Sequence, residues 1–482
     1  MSKRWLLALL VLAVMLDLAL TFSQYYQMPL DGDLAAIVVP RADYAPVLHD
    51  PFGWAALTQN AIYSAPNRFF AHISMYWYFR HVPLWLQGWV SPISSAYAAL
   101  ALFNTLVQAL LLYVLGWYAT GVRRLDSLRL WVAMALMAPF FQSGGFGGQM
   151  ALITPSISYS FAYSFPLLLL LVLLWPLYRA AWLGQALRIA WPKLVAMLLL
   201  TVVLAFNGPI IPATALVLGA GVGLHALVWL RDTAPKLLVN DRWRRLLWQP
   251  ALVWGWLAVL CLYSLYIGRN NAENLAAVLP LWQRYQLVPL GVWEELTSKL
   301  GLPLLVLGCI ANAQLIRRLL PPTSEAERIV RLLRWLGWFA LVYVALLPLG
   351  GYRNYRPHIL RHDSILPITL GLVSYYALSV TYLLAHLAGR SRRWYLVAVL
   401  GVAAIFINAD RKLTPRDNNI CERHALEVLA HAGPEPMVRL PDNCRVMSWN
   451  LITDPNESAT PAELLEYWGV TKGRKRYYYA TP

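Results

Sequence analysis

The chain has 482 residues, 59% of them hydrophobic and only 13% charged, with a net charge of +16. Soluble domains carry about 25% charged residues, so the composition excludes an ordinary soluble enzyme and points to a membrane. The positive charge, which in a soluble protein would suggest nucleic acid, is explained here by basic cytoplasmic loops; no nucleic-acid-binding module is legible.

Crossing a bilayer takes about 20 apolar residues. On that measure the chain reads as an all-α polytopic membrane protein with about eleven transmembrane helices. They lie roughly at 5–23, 95–119, 130–146, 162–178, 194–207, 209–230, 250–267, 301–316, 335–350, 365–388 and 394–409. The opening Met-Ser-Lys-Arg and apolar run resemble a signal sequence. No small-x-small cleavage site follows and Asp17 interrupts the run, so it reads as an uncleaved anchor. Asp17 itself is expected to face a bundle interior, either orienting an outer-face site or bonding a neighbouring helix.

With the N-terminus cytoplasmic, the inner loops hold 21 Lys and Arg, the outer loops 9, and the tail 10. This bias supports that orientation and places residues 410–482 outside. Cys421 and Cys444 lie in that tail, where an oxidising exterior permits a disulfide. The tail reads as a small α/β extracytoplasmic domain, with helices from Glu422 and near Thr460-Pro461 and strands at 437–440 and 446–451. Its basic end, Lys472 to Arg476, reads as a solvated terminus or a contact for anionic lipid.

The first outer loop, 24–94, opens on Asp31-Gly32-Asp33. Residues two apart share a face only in extended chain, and Gly32 permits a bend that would aim both carboxylates at one point. Asp33 also suits a helix cap before Leu34 to Val38, so catalysis and capping both stay open. Downstream, Asp50 reads as a cap with Pro51 at the first helical position, and Pro66-Asn67-Arg68 breaks that surface helix before an aromatic one. Gly144 to Gly148 reads as backbone lining a cavity. The outer loop 268–300, with Arg269, Glu273, Arg284, Glu294 and Glu295, reads as an amphipathic lid. The loop 351–364 concentrates Arg353, Arg356, His358, Arg361, His362 and Asp363. Arginine on the outer face defies the charge bias and suits phosphate, whose oxygens it binds bidentately; pairing with head groups or Asp363 is the plainer account.

This architecture resembles the GT-C superfamily of polyprenyl-phosphate-dependent integral membrane glycosyltransferases. The resemblance rests on the acidic motif after the first span, surface helices before the second, the 268–300 loop and the outer tail; no subfamily signature is matched. It implies a transmembrane domain at 1–409 and an extracytoplasmic domain at 410–482. It implies transfer of a sugar from a polyprenyl-phosphate-linked donor to a glycan, lipid or protein acceptor at the outer face, with inversion. Peptide acceptors are not favoured, since no Trp-Trp-Asp triplet occurs in the tail. Asp33 would then be the base and Asp31 its partner or a metal contact. Arg353, Arg356, Arg361 and His358 would surround the donor phosphate, with Glu294 and Arg284 on the lid or acceptor side. Some members use a divalent metal; the sequence leaves this open. A bacterial inner membrane, with the tail periplasmic, is the expected location. An O-antigen-type polymerase or ligase, a lipid or glycan transporter, and a non-catalytic assembly protein remain alternatives.

Overall fold

The structure is a computed structural model that describes residues 2–183, 189–237, 241–276, 278–410 and 418–479. Eight helices among these are long and apolar enough to cross a membrane: Lys3–Tyr26, Pro92–Thr120, Ile157–Ala180, Trp248–Gly268, Gly301–Leu319, Ser324–Gly350, Leu366–His386 and Gly389–Asp410. The remaining three expected spans fall on shorter apolar helices, Leu128–Phe140, Trp191–Ala205 and Ile210–His225.

Burial sorts these helices. The most apolar windows of Pro92–Thr120 and Leu366–His386 are 61% buried, whereas that of Lys3–Tyr26 is 11% buried. The first two therefore sit inside the bundle. The N-terminal helix exposes Leu9, Leu12, Leu16 and Leu20. An uninterrupted apolar face of that kind is stable against hydrocarbon, not water; the chain is an integral membrane protein. Helix starts follow local chemistry. Ser91 caps Pro92–Thr120 through Ser94 N at 3.3 Å, and Thr323 caps Ser324–Leu346 through Ala326 N at 3.1 Å.

One end of the bundle carries the polar apparatus. The first connecting loop forms short helices at Leu34–Val38, Ala45–His49 and Trp54–Thr58, then a long one at Phe69–Leu86. The helix expected from Pro51 starts instead at Trp54. Gly53 turns left-handed, with φ of 69°. The Asp50 carboxylate reaches forward to Trp54 N at 2.7 Å and Ala55 N at 2.8 Å. Asn270 and Asn271 lash this loop to the 268–276 segment: Ala272 N bonds Tyr63 O at 3.0 Å, and Asn271 Oδ1 accepts from Ala65 N at 3.1 Å.

The C-terminal segment packs on the same end. It contains helices Ile420–Ala430 and Ala459–Tyr467, and strands β1 (Met437–Leu440) and β2 (Arg476–Tyr479). The two strands pair in parallel, Met437 opposite Arg476 and Leu440 opposite Tyr479. Parallel pairing needs a crossover, which the Ala459–Tyr467 helix supplies. The strand expected at 446–451 does not form. Met447 has φ of 46°, and its N–H goes to Glu422 Oε1 at 2.9 Å instead of to a ladder. Its place is taken by Arg476 to Tyr479, read from sequence as part of a solvated terminus; Tyr477 and Tyr479 are buried. Cys421 and Cys444 form a disulfide with Cα atoms 5.9 Å apart.

Glu422 fastens this segment to the first loop. Its Oε2 accepts from Leu30 N and the Tyr97 hydroxyl, both at 2.9 Å. Burial pushes its carboxyl up to about 7, against the pull of those three donors. The 144–148 turn, expected to line a cavity, is filled. Asp410 Oδ1 accepts from the N–H groups of Ser143, Gly144 and Gly145, each at 3.0 Å. Successive backbone N–H groups make an anion cradle, and the chain's own carboxylate occupies it. Asp17 is half-buried, and its Oδ2 finds no hydrogen-bond partner among the described residues.

Candidate functional site

The site assembles from five stretches of chain: the 31–44 loop, Arg68, the turn around 158–163, Glu273 and the 353–363 loop. The C-terminal segment adds Trp449.

Asp31 and Asp33 have separate tasks. Asp31 is buried, and its Oδ1 accepts from Asp33 N at 3.0 Å and Leu34 N at 2.9 Å. Its Oδ2 accepts from Ser158 N at 2.8 Å. Asp31 therefore caps the Leu34–Val38 helix and pins the loop to the bundle. Burial raises its carboxyl while these N–H bonds oppose the rise.

Asp33 occupies the cap position but makes no side-chain cap bond. Its half-buried carboxylate accepts from Trp449 Nε1 at 3.2 Å. Removal from water pushes its carboxyl up to about 7, reinforced by the negative charges of Asp31 and Glu273 and opposed by Trp449 and Arg68. A carboxyl so tuned exchanges protons near neutral pH, the range a general base needs. Gly32 between the two is obligatory for packing: a Cβ there would lie 2.6 Å from Trp449 N.

Arg68 follows the Pro66-Asn67 break at the start of the Phe69–Leu86 helix. Its Nε is buried with no acceptor among the described residues. Around it lie Glu273 and the phenols of Tyr163, Tyr355 and Tyr44. Glu273 stays ionised: burial would raise it, but Arg68, Arg353 and Arg356 outweigh burial and lower it. Arg353 Nε donates to Glu273 Oε2 at 3.2 Å. His72, behind Tyr44 with ring centres 5.5 Å apart, is driven down to about 3 by burial and Arg68. It is therefore neutral and structural.

In the 353–363 loop, Asp363 is the hub. Its Oδ2 accepts from Arg356 Nη2 at 2.7 Å, and its Oδ1 from Arg361 Nε at 2.9 Å. The Arg356 guanidinium also donates to the Tyr163 hydroxyl at 3.2 Å, while its Nε is buried without an acceptor among the described residues. Arg361 lies over Tyr159 and Tyr355, 5.3 and 5.0 Å from the ring centres. The tyrosine faces hold the two arginines in place by cation–π attraction.

Three expected site residues serve as struts. His358 Nδ1 pairs with Glu294 Oε2 at 2.6 Å, tying the loop to the Leu281–Thr297 helix. Gly291 permits this approach, since a Cβ there would collide with His358 O. Arg284 bonds two backbone carbonyls, Leu279 O at 2.7 Å and Pro348 O at 3.1 Å.

The arginines outnumber the carboxylates they touch directly. Arg356 and Arg361 share one carboxylate, Asp363; Arg68 and Arg353 share another, Glu273. Each of these two clusters carries one more arginine than carboxylate, an excess that ionised Asp31 and Asp33 offset, and two of the four guanidiniums keep a buried N–H with no acceptor among the described residues. Such an arrangement suits an anion with several oxygens. It suits a metal poorly. Asp31 has both oxygens bonded to backbone, Glu273 is held by Arg353, and no group of three or more metal-ligating side chains occurs among the described residues.

No protein-family model, curated protein or solved structure matches this chain.

Tyr44 and Trp449 were not singled out by sequence; Arg68 was read only as part of a helix break, and Glu273 only as one of the polar residues of the 268–300 lid. Arg68 carried one usable signal, its place directly after a helix-breaking Pro-Asn at the start of the aromatic helix. Trp449 carried none; it is one of 22 tryptophans.

Proposed function

We propose that this protein is a membrane glycosyltransferase of the GT-C type. It moves a sugar from a polyprenyl-phosphate-linked donor to an acceptor hydroxyl at the outer face of a bacterial inner membrane. The observation that carries the reading is the state of Asp33: uncapped, held near neutrality, and within electrostatic reach of Arg68 and Glu273.

Ionised Asp33 takes the proton of the acceptor hydroxyl as its oxygen bonds the anomeric carbon from the side opposite the phosphate. The bond from that carbon to the phosphate oxygen breaks, and the phosphate keeps the electron pair. Inversion follows from the opposed geometry. The growing phosphate charge is met by the guanidinium charges of Arg68 and Arg356, placed in advance by Glu273, Asp363 and the tyrosines. Asp31 fixes the loop that aims Asp33. The donor arrives from lipid, so no nucleotide-binding fold is needed. In this reading the N-terminus is cytoplasmic and the site and C-terminal segment face outward.

The test is Asp33→Asn. It removes the base, keeps the shape and still accepts from Trp449. Transfer from a polyprenyl-phosphate sugar should fall by about two to four orders of magnitude, with insertion and the Cys421–Cys444 disulfide intact. Activity within about threefold of wild type would end the assignment. Reporter fusions that are active only outside the cytoplasm check the orientation: active after residue 482, silent near residue 240.

A further inference from the structure

Trp449 comes from the C-terminal segment, more than 400 residues from Asp33 in sequence, yet its indole N–H reaches Asp33 Oδ1 at 3.2 Å. Three features hold it there. Its backbone N lies so close to Gly32 that no side chain fits between them. Its ring stacks with Tyr159, centres 6.3 Å apart and planes within 29°. The chain just before it is anchored by the bond from Met447 N to Glu422 and by the Cys421–Cys444 bridge. The tryptophan is 42% exposed, so burial of its ring is not the reason for this placement.

We infer that Trp449 is a positioning residue for Asp33, and that the C-terminal segment thereby completes the site. This deepens the transferase reading and rests on it for the role of Asp33. The physical claim stands apart from that reading. An N–H donor to a carboxylate favours its charged form and fixes its direction. Asp33 faces Asp31 on its own loop, Glu273 from the 268–276 segment, and Arg68, Arg41 and Tyr44 from the first loop. Against the two negative neighbours, the Trp449 donor is one of the few influences that favour ionisation. Without it the carboxyl should hold its proton to higher pH and lose its fixed aim.

The experiment reads that proton directly. Dicyclohexylcarbodiimide modifies protonated carboxyls, and peptide mass spectrometry locates the adduct. The full-length protein in detergent is labelled from pH 5 to 9, and labelling at Asp33 gives a midpoint. Trp449→Phe keeps a ring beside Gly32 and removes the donor; the midpoint should rise by about half to one pH unit. Trp468→Phe is the control. It deletes another indole bond of the same segment, to Phe79 O at 2.9 Å, and Trp468 makes no hydrogen bond to Asp33. Its midpoint should match wild type. A Trp449→Phe midpoint within about 0.2 units of wild type, an equal shift in Trp468→Phe, or an unlabelled Asp33 in the wild type at every pH would each overturn the inference. Absence of sugar transfer would instead remove the transferase reading and leave the midpoint result intact.

Discussion

Neutralising Asp363 tests the arginine loop most sharply. Its side chain is fully buried, and those of Arg356 and Arg361 are 16% and 26% exposed. Opposite charges about 4 Å apart attract by about 4 kcal/mol at an effective dielectric of about 20. Asp363→Asn removes that attraction twice and leaves two guanidiniums facing each other. Breaking a buried pair from one side costs about 3–5 kcal/mol. A polytopic protein does not unfold in one step, so the local opening of the loop is the quantity to measure. Hydrogen exchange of the 351–364 amides should accelerate by about two orders of magnitude or more, with the Pro92–Thr120 helix unchanged. Adding Arg361→Gln should restore part of the protection, because one uncompensated charge is gone. The pH dependence has a definite sign. Arg356 and Arg361 hold the Asp363 carboxyl well below the ordinary range in spite of burial. Its stabilisation is therefore complete above the unfolded value near 4 and is lost only as pH falls below it. Protection of this loop should show no titration of Asp363 between pH 5 and 8. Exchange within about threefold of wild type in Asp363→Asn would show that the ion cluster does not organise the loop.

Arg68→Gln should raise the requirement for lipid-linked donor by about tenfold or more and leave insertion intact, as read by transfer against donor concentration; an unchanged requirement would remove Arg68 from the phosphate site. Asp33 is raised to about 7, so its ionised, proton-accepting form appears as pH rises; transfer should climb through a limb near pH 7 in wild type, and that limb should vanish in Asp33→Asn. Replacing Cys421 and Cys444 by Ser should destabilise the C-terminal segment by about 3 kcal/mol in the chain-entropy treatment, seen as faster proteolysis after residue 417. Non-reducing mass spectrometry should find the two cysteines joined in the untreated protein.

The apolar helices were legible because a membrane span needs only local information, a run of residues that satisfies its own backbone bonds. The helix at Leu34–Val38, strand β1 and the pairing of Cys421 with Cys444 were likewise readable from short patterns. The division of labour between Asp31 and Asp33 was not. Both can cap a helix, and which one does depends on where Ser158 and Trp449 stand, positions set by chain 127 and 416 residues away. The 144–148 turn looked like the wall of a cavity until Asp410, at the far end of another helix, proved to fill it. Strand β2 looked like a charged terminus because its buried tyrosines face a partner the local sequence does not contain. Composition and periodicity thus determined that this protein lives in a membrane and where its helices run. Tertiary structure alone decided that Asp33, Arg68, Glu273, Asp363 and Trp449 are linked in one network of charges and hydrogen bonds, because such partners act through space, across distances in sequence that no local pattern records.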